Sequence, residues 1–218
     1  GPDGKLYTTT ADGKIVRYDI AADGSLSTPQ VINTITTREA GPRIISGLVF
    51  HPDSTAENLV AYVSHGEFAF AGANDFTGKI TKLSGANLQN GVDLVRGLPR
   101  SVRDHLNNQL VFGPDGKLYL SVASNTATGA PDPAWGNRAE HLLSASILQV
   151  DLNALPTTVD VRTEDVPTPY DPFAPDAPVK LYAAGIRNAL DLLWHRNGRL
   201  YAPNIGAVQG GIAPQSPD

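Results

Sequence analysis

One phrase occurs twice in this chain, GPDGKLY at Gly1–Tyr7 and again, letter for letter, at Gly113–Tyr119. A repeat of this kind restricts the fold strongly, because the same local structure must be built at two places. The phrase reads as the corner of a β-hairpin. Pro presets φ at the first central position of a turn, Asp supplies a polar cap, Gly supplies a positive φ, and Lys-Leu-Tyr opens an alternating strand. Looser versions follow the same order of apolar strand, tight turn and apolar strand. GLVFHPD at Gly47–Asp53 leads into NLVAYVSHGE at Asn58–Glu67. QLVFGPDGKLYLSVAS fills Gln109–Ser124, and LLWHRNGRLYAPNIG fills Leu192–Gly206, with His195–Gly198 as a degenerate turn.

A second phrase interleaves with the first: GKIVRYDI (Gly13–Ile20), GKITKLSG (Gly78–Gly85) and ASILQVDL (Ala145–Leu152). Its isoleucines, Ile15, Ile80 and Ile147, recur at a period of about 65 residues, which with two phrases per period gives about one four-stranded antiparallel sheet per unit. The expected fold is all-β, a β-propeller of four-stranded blades. The chain would cover about four blades, the first and last of them partial. No segment sustains a helical apolar period, which excludes a solenoid of helix pairs. Open propeller edges are a liability, so 1–218 is expected to be one partial propeller domain within a larger ring.

Composition agrees. With 218 residues the chain can bury a core, and 21 Gly with 17 Pro favour turns and short strands. A net charge of −5 gives no basic footprint for nucleic acid, and no apolar run reaches the about 18 residues of a membrane span. Cys is absent, which removes disulfides, thiolate metal sites and thiol nucleophiles and suits any compartment. Two long connections stand out, Ala123–Arg138 and Ala154–Pro178; segments of that length are functional or disordered.

Several residues could carry chemistry. His105 follows Asp104 just before a strand; its ordinary pKa suits a general base and the Asp could orient it, the alternative being a surface histidine. Arg187 and Asn188, between small and apolar residues, suit a flat anionic ligand, or else satisfy carbonyls at a blade edge. Arg43 precedes an apolar strand and could reach a central channel, while His51 belongs to a turn. SHGE at Ser64–Glu67 is a weak metal pair, and Trp135 with His141 could form a platform for a sugar or pack internally. Glu67, Asn125 and Asn204 are scattered oxygen donors for a calcium-centred hydrolase or lactonase, with no pattern binding them into one site.

These segments together resemble the glucose/sorbosone dehydrogenase family, soluble quinoproteins that use pyrroloquinoline quinone. The resemblance rests on GLVFHPD, on GLPRSVRDH followed by QLVFGPDGKLYLSVAS, on GAPDPAWGNRAEHLLSASILQVDL and on LYAAGIRNALDLLWHRNGRLY. It implies a six-bladed propeller with the quinone over its axis, a periplasmic or secreted location, an aldose substrate and an external electron acceptor. It implies that His105, with Asp104 beside it, takes the proton of the sugar's anomeric hydroxyl as hydride passes to the quinone. Arg187 and Asn188 would engage the quinone, with Arg43 nearby. Calcium is the implied metal, but the Gly-Pro loop that helps hold it is replaced here by PNIGAVQGG, which leaves Asn204 and Gly206 as substitutes. The competing function is a non-catalytic propeller that binds carbohydrate or a protein partner.

Overall fold

The computed structural model of the chain describes residues 1–206 and 211–215. A first sheet holds β1 (Leu6–Thr9), β2 (Ile15–Tyr18) and β3 (Gln30–Ile32) in antiparallel order, and a short helix α1 (Thr34–Arg38) leads out of it. The second sheet is an antiparallel run of β4 (Arg43–Phe50), β5 (Val60–Glu67), β6 (Gly78–Ser84) and β7 (Asn90–Leu98). The third begins with β8 (Asn107–Phe112), β9 (Leu118–Val122) and β10 (Ser146–Val150). The chain then returns to the second sheet as β11 (Val159–Asp160) and closes the third with β12 (Val179–Ala184). β13 (Leu193–Trp194) and β14 (Leu200–Tyr201) form a final two-stranded ribbon. These sheets, stacked face against face, form a partial β-propeller.

The corners are the repeated phrases. Gly4, Gly116 and Gly198 all have φ near +75° and close turns onto the carbonyls of Gly1, Gly113 and His195 at 3.0, 3.0 and 2.9 Å. In both GPDGKLY copies the tyrosine hydroxyl donates to the turn aspartate, Tyr7 to Asp3 at 2.8 Å and Tyr119 to Asp115 at 2.9 Å. In the degenerate copy Asn197 donates to Tyr201 instead, at 3.0 Å. Substituting an amide for a carboxylate reverses the donor and keeps the contact.

The period-2 alternation of each strand feeds two cores. Ile15 lies in the cluster between the first and second sheets, with Ile45, Ala61, Val63 and Leu83. Ile80 lies between the second and third with Leu118, Leu120 and Leu148, and Ile147 packs with Tyr119 and Leu192 toward the ribbon. The recurring isoleucine thus faces the next sheet each time, and all three are buried. Gly47 marks a tight approach between sheets, since a Cβ there would stand 2.6 Å from the carbonyl oxygen of Asn108 on β8.

Two features depart from the four-stranded expectation. The long 154–178 connection is ordered by returning to the preceding sheet, where β11 pairs parallel with β7 and makes it five-stranded. Val161 is buried in the inter-sheet core and the Tyr170 hydroxyl donates to the Val179 carbonyl at 2.8 Å, so this segment has its own anchors. Helix α1 has no counterpart in the sequence expectation; it is too short for an apolar period, and Ile35 is its one buried side chain, with Thr34 donating to the Leu88 carbonyl at 2.8 Å.

Candidate functional site

The loops at one end of the third sheet converge on His105. Arg100, fully buried, shapes the segment that carries it. Its Nη1 donates to the carbonyls of Ser101, Arg103 and His105 at 3.3, 2.5 and 3.1 Å, and its Nη2 to those of Glu67 and Ala69. Ser101 Oγ accepts the amides of Arg103 and His105, each at 3.1 Å. A guanidinium offers five N–H donors in a fixed fork, which suits it to bracing irregular backbone. Burial lowers Arg100 to about 10, so it remains charged at neutral pH.

His105 is not a surface histidine: it is 4% exposed. Its Nδ1 lies 2.8 Å from the carbonyl oxygen of Ser124 and 3.1 Å from Ser124 Oγ. A carbonyl can only accept, so Nδ1 carries the proton and neutral His105 has its free lone pair on Nε2. Burial depresses its pKa, the Ser124 carbonyl opposes that, and the Arg187 charge reinforces it. Asp104, expected to orient the ring, is instead exposed and acts on it only as a nearby negative charge. The backbone of Ser124 does the orienting.

The long 123–138 connection is built around Glu140. Its carboxylate accepts the amides of Asn125 and Thr126 at 2.9 and 3.0 Å, the Thr126 hydroxyl, and the hydroxyl of Ser144. Trp135 is buried against His105, with ring centroids 4.5 Å apart, and the guanidinium carbons of Arg103 and Arg187 lie 5.6 and 5.9 Å from the indole centroid. It is therefore internal packing beneath the site and presents no open sugar platform.

Beside this cluster is a cleft of about 430 Å³ lined by Ser124, Thr128, Glu140, Arg187, Asn204 and Gly206 among others. Arg187 donates through Nε to the Ala127 carbonyl at 2.5 Å, and its carbonyl accepts the Ser124 amide at 2.7 Å. The same strand exit that supplies Arg187 therefore also fixes the residue that holds His105. Thr128 Oγ1 and Asn125 Oδ1 are buried with no partner among the described residues.

The other expected residues are placed differently. Asn188 is buried and structural: its Oδ1 accepts from Asn108 at 2.8 Å and its amide donates to Asn204 Oδ1 at 2.9 Å. Arg43 does not line the cleft. It donates to His65 Nδ1 at 3.1 Å and to the Thr77 carbonyl at 2.5 Å, within 3.7 Å of Glu39. His65 and Glu67 form no metal pair, because His65 is locked between Arg43 and Thr81 while Glu67 caps Asn74. His51 is a turn residue, its Nδ1 accepting the Asp53 amide at 3.1 Å. His141 faces two carboxylates, Asp75 and Glu164, and so is no part of a sugar platform. Among the described residues no three His, Cys, Asp or Glu side chains converge as a metal site.

Sequence reasoning missed Arg100, Ser124 and Glu140. Arg100 and Glu140 act on backbone groups of their neighbours and Ser124 acts through its own carbonyl, so no side-chain motif signals them.

Comparison with known proteins agrees with this architecture. The chain is 29% identical to quinoprotein glucose dehydrogenase B of Acinetobacter calcoaceticus, an alignment covering 94% of this chain and 45% of that protein. Among solved structures it resembles an oxidoreductase of the glucose dehydrogenase type from Thermus thermophilus, with a TM-score of 0.53 and 23% identity over 93% of this chain and 55% of that one; this likeness speaks to fold. The chain thus spans about half the length of these relatives. The family model for Glucose / Sorbosone dehydrogenase matches residues 1–211, and by that match the chain belongs to the glucose/sorbosone dehydrogenase family.

Proposed function

We propose that this chain supplies the base and part of the cofactor cradle of a pyrroloquinoline-quinone-dependent aldose dehydrogenase, in a six-bladed propeller of the periplasm or cell exterior. The observation that carries this reading is the bond from His105 Nδ1 to the Ser124 carbonyl beside the Arg187 cleft. It leaves Nε2 as a proton acceptor, and the depressed pKa keeps that nitrogen unprotonated at neutral pH. His105 Nε2 takes the proton of the anomeric hydroxyl as the C1 hydrogen leaves with its electron pair, and the sugar becomes its lactone.

Pyrroloquinoline quinone, when bound, would supply the two-electron acceptor for that hydride, with an external acceptor as the final electron sink. The residues present fit one edge of such a flat polyanion. Arg187 offers guanidinium N–H groups beyond those used on Ala127 and Ile205, and the Thr128 hydroxyl, without a partner among the described residues, lines the same cleft. Trp135 and the packed 123–138 connection keep water from the buried side of His105. Among the described residues calcium finds no comparable side-chain donor set. Asn204 Oδ1 is committed to the Asn188 amide, so no step here rests on a metal.

The test uses the full-length protein. Pyrroloquinoline quinone is titrated in by absorbance, with and without calcium, and dye reduction is then followed with a panel of aldoses. Saturable binding with sugar-dependent reduction is the expected result. Absence of binding at micromolar quinone overturns the proposal.

A further inference from the structure

Outside the cleft, His141 is held between two carboxylates. Its Nε2 contacts Asp75 Oδ2 and its Nδ1 contacts Glu164 Oε1. A carboxylate only accepts, so both bonds form together only when both ring nitrogens carry protons. The three residues come from three different connections: Asp75 between β5 and β6, His141 before β10, and Glu164 after β11. Phe76 packs on the imidazole, with ring centroids 4.5 Å apart.

This clasp reaches the segment that carries His105. Asp75 Oδ1 accepts the Arg100 amide at 3.3 Å, and Asp75 Oδ2 is also 3.4 Å from Arg138 Nε. Arg138 Nη1 in turn donates to the Arg100 carbonyl at 2.6 Å, and its Nη2 to that of Ala73 at 3.0 Å. Both peptide groups flanking Arg100 are therefore tied to residues whose position depends on His141. Arg100 itself holds the carbonyls of Ser101, Arg103 and His105.

We propose that His141 is a positioning residue for the proposed base: as an imidazolium bridging Asp75 and Glu164 it fixes the Arg100–His105 segment, and loss of its ring proton releases that segment. Once neutral, the ring turns one lone pair toward a carboxylate, and an attractive contact becomes repulsive. The charged groups facing the ring are Asp75 from the β5–β6 connection and Glu164 from the segment after β11, with Arg138 of its own connection on Asp75. Glu140, one residue away, is turned to Asn125, Thr126 and Ser144. Burial alone would lower the His141 pKa, but the bond and charge of Asp75, then those of Glu164, outweigh it and hold the pKa above its ordinary value. His105 is shifted the other way. The two histidines therefore bound a working window, with His105 neutral above its lowered pKa and the clasp shut below the raised pKa of His141.

The role in catalysis rests on the proposed function, but the clasp can be read without it. In the full-length protein, with neither sugar nor quinone, amide exchange over 100–106 and C2-proton exchange of the His141 ring are followed against pH in the same digests. The expected result is a loss of protection of about tenfold or more, beyond intrinsic base catalysis, with the midpoint of His141 titration. His141→Asn should show the low-protection state at every pH. Glu164→Gln, a change at an exposed partner, should move both midpoints together to lower pH and keeps the test open if His141→Asn does not fold. Protection that stays flat across the His141 titration, or a Glu164→Gln protein whose step does not move, overturns the proposal. Sugar-dependent dye reduction is measured separately, so its absence with the coupled steps intact strikes the functional reading and leaves the clasp standing.

Discussion

The Nδ1 of His105 stands 2.8 Å from the backbone carbonyl oxygen of Ser124, two residues past the strand that follows the second GPDGKLY corner. A backbone acceptor cannot be lost by changing a side chain, so the ring tautomer is fixed by the fold itself. Replacing His105 with Ala should lower sugar oxidation by about two to four powers of ten, the usual contribution of a general base. Quinone binding should survive, because the cleft is lined by other residues. An active His105→Ala enzyme removes this residue from the mechanism. The same lowered pKa predicts that the wild-type rate holds as pH falls through 6.5, the ordinary histidine value, and drops only further down.

Arg100 should be the most destabilising arginine to remove. It is fully buried and donates to five backbone carbonyls from two connections. Arg100→Met fills part of the volume and leaves those carbonyls without their donor, at a cost of at least about 3 kcal/mol. Denaturant unfolding gives the figure. A midpoint close to wild type would show that water replaces the guanidinium without penalty.

The repeat made most of this fold legible. Turn chemistry at Gly4, Gly116 and Gly198 and alternation around Ile15, Ile80 and Ile147 are local signals, and local signals survive in sequence. The return of β11 to an earlier sheet is a long-range pairing of two residues, too short to leave a pattern. The site divides in the same way. His105 and Arg187 stand out because their chemistry is in the side chain. Ser124 acts mainly through its carbonyl, and Asp104, though adjacent in sequence, has its side chain in solvent. Arg43 and Asn188 go the other way: the Arg43 guanidinium donates to His65 and to the Thr77 carbonyl, and the Asn188 side chain accepts from Asn108, contacts that no sequence pattern signals.

His65 makes acid stability a measurable signature of the second sheet. It is fully buried, and burial, with the charges of Arg43 and Lys79, pushes its pKa down to about 3. Between that value and 6.5 the unfolded chain binds a proton that the folded chain refuses. Stability therefore falls as pH drops below 6.5 and goes on falling toward about 3. His65→Asn keeps a polar partner for Thr81 and cannot titrate, so its stability should depend less steeply on pH in that window. Equal slopes for the two proteins would mean that His65 is protonated in the fold.

Trp135 should set the acidity of the base without touching the reacting atoms. Its ring packs 4.5 Å from that of His105, and burial is the leading cause of the lowered His105 pKa. Trp135→Ala admits water beside the imidazole, so the protonated form is penalised less and the pKa rises toward 6.5. The Arg187 charge still opposes protonation, which keeps the recovery partial. In a pH–rate profile the acid limb should move to higher pH, and the rate near neutrality should fall severalfold as the ring loses its packing. The alkaline limb, if His141 governs it, should stay in place, because His141 packs on Phe76 and bonds to Asp75 and Glu164 rather than to Trp135. Movement of both limbs together would instead mean that Trp135 holds the whole group of connections, and that the two histidines do not titrate as separate devices.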